Sequence, residues 1–317
     1  MFPDCLLEFA AERYGFDKKT LGSVAVGNYT EKQFYSFSTH GTSYILRLAK
    51  RTAHHIAQVK TEMEWLCYLA GKGISVSNPL RSIDGELAIS AEENGETYTI
   101  AAFSMAKGRL FDVNDPNLWG EKVFRNWGKV MGDMHRETKG FRPASGMDRQ
   151  YRFADSIRDS VKAFPSVNKA AEDLIREIMA LPKDMDSYGL VHSDLGPTNF
   201  SIDAERINVF DFDGWAYSWF AQDIGAALTF GIWFGRYNDA GYDFINDIFK
   251  HFLAGYLSAN HLDDFWLSKI PLFLRFYQIA GFAHMHHHEN PDDDNQREQI
   301  HGIENNILFP GCSGFGV

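Results

Sequence analysis

"LVHSDLGPTNF" spans Leu190–Phe200, and "DFD" follows at Asp211–Asp213, beginning twelve residues after Asn199. Between them "NFSID" and "RINVFDFD" read as short strands joined by a turn, which brings Asp211 back beside Asn199. A hairpin core does not carry several carboxylates idly, because stripping a charged group of water is costly. Asp194, Asn199 and Asp211 therefore present their oxygens to one site. Hard divalent cations such as Mg2+ bind carboxylate and carbonyl oxygens together with substrate phosphates, so Asn199 and Asp211 suit a metal–nucleotide complex. Asp194 is left as a base that accepts the proton of an alcohol attacking a phosphoryl group.

The 317 residues, 44% hydrophobic and 15% aromatic, can bury a large core. The longest nearly uninterrupted apolar run, "IGAALTFGIWF" from Ile224, is about half of the ~20 residues a membrane span needs, so none is expected. The first residues lack a basic region, a long apolar stretch and a cleavage site, so no secretory signal is read. Cys5, Cys67 and Cys312 are far apart with no CxxC spacing, which fits reduced thiols in a cytoplasmic protein. The net charge of −11, with no cluster of Lys and Arg, argues against nucleic acid as a partner. Residues 1–108 are nearly neutral, so almost all of that charge belongs to the C-terminal part.

The chain divides in the same place. An amphipathic helix from Leu6 to Tyr14 precedes "FYSFS" and "YILRL", a hairpin around "THGT" at Thr39–Thr42. Ile56, Val59, Met63, Leu66 and Leu69 then recur at helical spacing until Gly71 and Gly73 end the pattern. "ELAIS" and "TYTIAAF" flank Asn94–Gly95, a tight-turn pair. From Trp119 onward the text is mostly helical, with helices expected at 119–137, 152–164, 168–180, 220–235, 240–257 and 262–288, the last broken near Pro271.

With these elements in place, "HSDLGPTN" matches H-x-D-x-x-x-x-N and "FDFD" a metal-binding motif, and "SWFAQDIGAAL" follows with an Asp near a helix start. The sequence thereby resembles the aminoglycoside phosphotransferase and choline kinase-like enzymes, over most of its length. The resemblance implies an α+β, two-lobed protein-kinase-like fold: an N-lobe at 1–106 with an antiparallel sheet and one main helix, and a larger, mostly helical C-lobe at 107–317. It implies ATP and Mg2+ as cofactors, and phosphorylation of a hydroxyl on a small molecule. Asp194 resembles the catalytic base, Asn199 and Asp211 the metal ligands, and His192 and Asp223 structural supports of the catalytic loop. Arg47 of "YILRL" stands where protein kinases have Lys, with Glu62 as its partner and Glu64 as the competitor for that place. Phe103, Ser104 and Met105 resemble the hinge whose backbone meets adenine. In "VGNYTEKQFYSF" only Gly27 stands where a phosphate loop would be. Two other classes share these motifs: a protein Ser/Thr kinase of the same fold, and a catalytically inactive nucleotide-binding module.

Some features read as structure rather than chemistry. Asp213 is expected to cap a turn more readily than to bind metal. Trp215, Trp219, Phe230, Trp233, Phe234 and Tyr237 fit core packing at helical spacing as well as a substrate pocket. "HMHHHEN" at 284–290 is expected at a helix end and not as a metal site, since consecutive helical side chains splay by about 100°. The acidic C-terminal part favours a cationic, aminated acceptor.

Overall fold

The computed structural model describes residues 3–287, apart from 25–31, 51–52, 113–114, 116–117, 145, 154, 156, 158–160, 163 and 238–241. The "VGNYTE" stretch with Gly27 and the acidic loop at 290–298 lie outside the described residues, as do part of the helix expected at 152–164 and the side chains of the histidine cluster.

The N-terminal part begins with α1 (Asp4–Tyr14), which lays Leu6, Ala10, Ala11 and Tyr14 on an antiparallel sheet. The sheet comprises β1 (Gly22–Ser23), β2 (Lys32–Thr39), β3 (Thr42–Lys50), β4 (Pro79–Leu80), β5 (Ile89–Glu93) and β6 (Glu96–Ser104), in the order β1-β2-β3-β6-β4 with β5 also on β6. Asn94 and Gly95 both have positive φ, the geometry that matches a two-residue turn to the twist of its strands. Alternation then sorts β3 by face. Leu46 and Leu48 are fully buried toward α1, whereas Arg47 between them points to the other face, beside Ala101 of β6. That face is covered by α2 (Ala53–Gly71), whose Val59, Met63, Leu66 and Leu69 join the main core.

The rest is dominated by helices. After β7 (Arg109–Leu110) come α3 (Glu121–Thr138), α4 (Pro165–Met179), β8 (Tyr188–Val191), the hairpin β9 (Phe200–Asp203) and β10 (Arg206–Val209), and β11 (Ala216–Trp219). The chain ends in α5 (Phe220–Tyr237), α6 (Tyr242–Ala259), a single turn α7 (Asp264–Leu267) and α8 (Ile270–His287). The break expected near Pro271 comes at 268–269, because proline is tolerated in the first turn of a helix but not in its interior. Helices α3 and α6 pack backbone to backbone. A Cβ on Gly128 would stand 1.9 Å from the Phe252 carbonyl oxygen, and one on Gly255 equally close to that of Arg125, so only glycine allows the approach. The two parts are stitched at Val76 and Val209, where Ser77 N–H donates to the Val209 carbonyl (3.0 Å) and Val209 N–H to that of Ser75 (2.9 Å). Among the described residues no helix is long and apolar enough to cross a membrane, and Cys5 and Cys67 are free thiols.

Candidate active site

Strand β8, paired with β11, delivers the chain to His192, and Asp223 in the first turn of α5 receives it there. The fully buried Asp223 accepts the backbone N–H of His192 (2.9 Å) and of Ser193 (2.8 Å), and the Nε2–H of His135 (3.0 Å). Burial opposes its charge, but the hydrogen bond from His135 and the other donors win, and its pKa lies below the usual carboxylate range. His135 is held in turn: its Nδ1 accepts from the Tyr256 hydroxyl (2.9 Å), which accepts from Asn260 (2.9 Å). Burial lowers the pKa of His135, consistent with the neutral ring this one-donor, one-acceptor pattern requires. One polar chain thus runs from α6 through α3 and α5 into the loop.

Beyond this anchor the loop turns on itself. Ser193 has a φ of 70°. The Asp194 N–H donates to Nδ1 of His192 (3.3 Å), whose Nε2–H donates to the Phe210 carbonyl (3.1 Å). His192 therefore links the loop to the end of the β9–β10 hairpin. Asn199 closes the loop from the other side, its amide nitrogen donating to the Asp194 carbonyl (2.7 Å) and carboxylate (2.9 Å). The carboxylate of Asp194 reaches the cleft surface. Even so, crowding by protein strips enough water to raise its pKa above the usual carboxylate range; the Asp211 charge adds to this, while His192 and the Asn199 amide oppose it.

The hairpin does what its spacing predicts. Phe210 N–H donates to the Asn199 carbonyl (3.0 Å), and Asp211 follows with positive φ, a conformation Asp tolerates better than most residues. Phe212 is buried against His192 and Trp65, with ring centroids 4.6 and 5.2 Å apart. Asp194, Asp211 and Asp213, with Lys32 and Arg149, line one cavity of about 280 Å³.

On the sheet face above, Arg47 and Glu62 form a two-pronged ion pair (2.9 and 2.7 Å), both side chains buried. An outward-facing strand cation is thus excluded for Arg47. Glu64 is engaged elsewhere, accepting the N–H of Ala144 (3.0 Å). The turn-cap reading of Asp213 is corrected: its carboxylate points up to the sheet, 3.3 Å from Arg47 and ion-paired with Lys32. Two cations outweigh a local backbone bond. At the expected hinge, the N–H of Ser104 donates to the Asn78 carbonyl (2.8 Å) and that of Met105 to the Ser43 carbonyl (3.0 Å), so neither of these two donors is left to meet a base. The Phe103 ring stands 5.5 Å from the Arg47 guanidinium. Trp215 and Trp219 are core, as their spacing suggests, whereas Trp233 is 39% exposed, with its ring 5.7 Å from Phe230.

Among the described residues no three His, Cys, Asp or Glu side chains converge into a ready-made metal cage. That fits a hard cation which takes further ligands from phosphate and water. With its nitrogen spent on Asp194, Asn199 has its amide oxygen left for a cation, and the Asp194 and Asp211 carboxylates that share the cavity would be relieved by such a charge.

A buried cation–carboxylate pair between β3 and α2, above a loop and hairpin that carry Asp194, Asn199 and Asp211, is the arrangement of a phosphotransferase with a kinase-like fold. The family profile of the phosphotransferase enzyme family APH matches residues 25–265, and the chain belongs to that family. It is similar to amicoumacin kinase of Bacillus subtilis (strain 168), 32% identical over 316 residues that cover 95% of this chain and 91% of that protein. Among solved structures it resembles amicoumacin kinase hAmiN in complex with AMP-PNP, Ca2+ and Ami, with a TM-score of 0.85 and 26% identity over 98% of this chain and 94% of that one. The microcompartment-associated aminopropanol kinase shares the fold, with a TM-score of 0.73 at 18% identity over 96% and 95% of the two chains.

Proposed function

We propose that the chain transfers the γ-phosphoryl group of ATP to a hydroxyl of a small molecule, in a cleft between lobes at 1–106 and 107–317. The observation that carries this reading is Asp194 sharing one cavity with Asp211, with Asn199 bound to the Asp194 carboxylate. In the reaction the acceptor oxygen bonds to the γ-phosphorus as the bond to the β–γ bridging oxygen breaks, its electron pair leaving with ADP. The acceptor proton passes to Asp194. Asn199 and Asp211 would hold Mg2+, which would neutralise charge on the phosphates when bound. Arg47, its fork held by Glu62, supplies the positive charge that meets the α- and β-phosphates. His192 and Asp223 keep the loop in place. Phe103–Met105 flank adenine through groups other than the two occupied N–H donors.

The relatives named for amicoumacin and aminopropanol suggest the same acceptor class as the acidic C-terminal part, an aminated hydroxy compound. A coupled-ADP screen of amicoumacin, aminopropanol and aminoglycosides with Mg-ATP tests the reading. Acceptor-dependent ADP release supports it; Mg-ATP binding without turnover on any acceptor favours an inactive nucleotide-binding module. Within the active form, Asp211→Ala is expected to abolish Mg-dependent ATP binding by calorimetry while unfolding stays cooperative, and unchanged affinity would remove Asp211 from the metal site.

A further inference from the structure

Asn208, on β10, has no role in the scheme above, yet its buried side chain joins three segments of the chain. Its amide nitrogen donates to the Lys107 carbonyl (3.0 Å), and its amide oxygen accepts the Ser75 hydroxyl. Ser201, directly opposite on β9, donates its hydroxyl to the same Lys107 carbonyl (2.6 Å). Lys107 lies on the connection that leaves β6, two residues past Met105, and Ser75 on the segment that follows α2. At the other end, Ser201 stands two residues after Asn199 and Asn208 three before Asp211. The approach of connection to hairpin dictates Gly108. Its φ is 91°, and a Cβ there would meet the Ile202 carbonyl oxygen at 2.2 Å. Backbone bonds tie β7 to β9, and Ser75 and Ser77 to Val209. Ser201 reaches the connection, whereas Asn208 reaches both the connection and the N-terminal part. A buried amide bonded at both its oxygen and its nitrogen cannot turn without stranding a partner, so the three segments are held in one frame.

Resting on the kinase reading, we infer that Asn208 is a positioning residue, which fixes the connection beside adenine to the hairpin of the metal ligands, so that the two ends of one nucleotide meet sites at a set separation. The base binds at the connection, the phosphates and metal at the hairpin. Once one end is bound the other binds intramolecularly, and the advantage this confers depends on how firmly the two sites are held in register. A frame set before binding spares the nucleotide the cost of ordering it. Asn208 acts through others: through the Lys107 carbonyl on one side, and through the strand that runs into Asp211 on the other.

The test compares wild type with Asn208→Ala and Ser201→Ala, in the full chain. Calorimetry measures Mg-ATP and Mg-tripolyphosphate, which lacks the base, and competition measures adenosine, which lacks the phosphates. In Asn208→Ala, Mg-ATP affinity should fall by ~10-fold, while the affinities for Mg-tripolyphosphate and for adenosine each change by less than about 3-fold. In turnover the KM for ATP should rise and the acceptor KM stay unchanged. Ser201→Ala, which leaves one bond on the Lys107 carbonyl, should show a smaller loss of about 3-fold, again confined to Mg-ATP. Equal losses of Mg-ATP and Mg-tripolyphosphate would mean a damaged hairpin, and an equal loss of adenosine a damaged connection; either overturns the proposal. So does an Asn208→Ala variant that keeps its Mg-ATP affinity. If that variant does not fold, Ser201→Ala decides, and the absence of any selective loss there overturns the proposal too. A wild type that binds Mg-ATP no more tightly than Mg-tripolyphosphate contradicts the coupling but leaves Asp211 a metal ligand, whereas one that binds neither contradicts the kinase reading itself.

Discussion

Asp194 and Asp223 are carboxylates of one loop system pushed in opposite directions. Asp223 has a lowered pKa, so it contributes stability above the unfolded carboxylate value of about 3.9, and that contribution is lost as pH falls through its lower folded value. Removing it strands three buried donors. Asp223→Ala is expected to cost roughly 3 kcal/mol or more by urea unfolding at pH 7, and a cost under ~1 would deny it the anchoring role. Asp194 has a raised pKa and is destabilising once ionised. Asp194→Asn should therefore melt above wild type in metal-free buffer at neutral pH. The base acts only when ionised, so kcat/KM is expected to climb as pH rises through the titration of Asp194. The motif residues were legible because they are close in sequence and joined by one turn. Asp213 was not, for its partner Arg47 lies 166 residues away and nothing local marks the turn of its side chain toward the sheet.

At the scale of elements, the loop is held by packing between helices as much as by its own bonds. His135 lies on the buried stripe of α3 with Phe124, Trp127 and Met131, and its Tyr256 partner is carried by α6, whose approach depends on Gly128 and Gly255. Gly255→Ala is expected to force the two helices apart at a cost of about 1–3 kcal/mol and to lower turnover through the displaced Tyr256–His135–Asp223 chain. A thermal melt and a turnover assay check both halves, and normal values in both would separate the packing from the loop. Helices and hairpins were readable from periodicity and turn residues. The polar chain was not, since contacts between helices leave no periodic trace; a histidine on an apolar stripe was its one signal.

For the whole molecule, the acidic balance after residue 108 is the feature that bears on the acceptor. A negative field draws cations toward the cleft, and it decays over the ~8 Å screening length of physiological salt. Aminated acceptors should therefore show higher kcat/KM than matched neutral ones at low salt, with the advantage shrinking as salt rises. Equal efficiency at both would divorce the charge from acceptor choice. This was read from composition alone, whereas the acceptor itself is selected by side chains whose identity no motif fixes.

The central claim is that Asp194 takes the acceptor proton while Asn199 and Asp211 hold the metal. Its most direct test is phosphorus NMR of Mg-ATP with a turned-over acceptor, for wild type and Asp194→Asn, with Mg-nucleotide affinity measured alongside. The account predicts a new phosphoester signal equal to the ADP formed by wild type, and a rate at least ~10²-fold lower for the variant at nearly unchanged nucleotide affinity. A variant that forms the phosphoester within about 3-fold of the wild-type rate would contradict it.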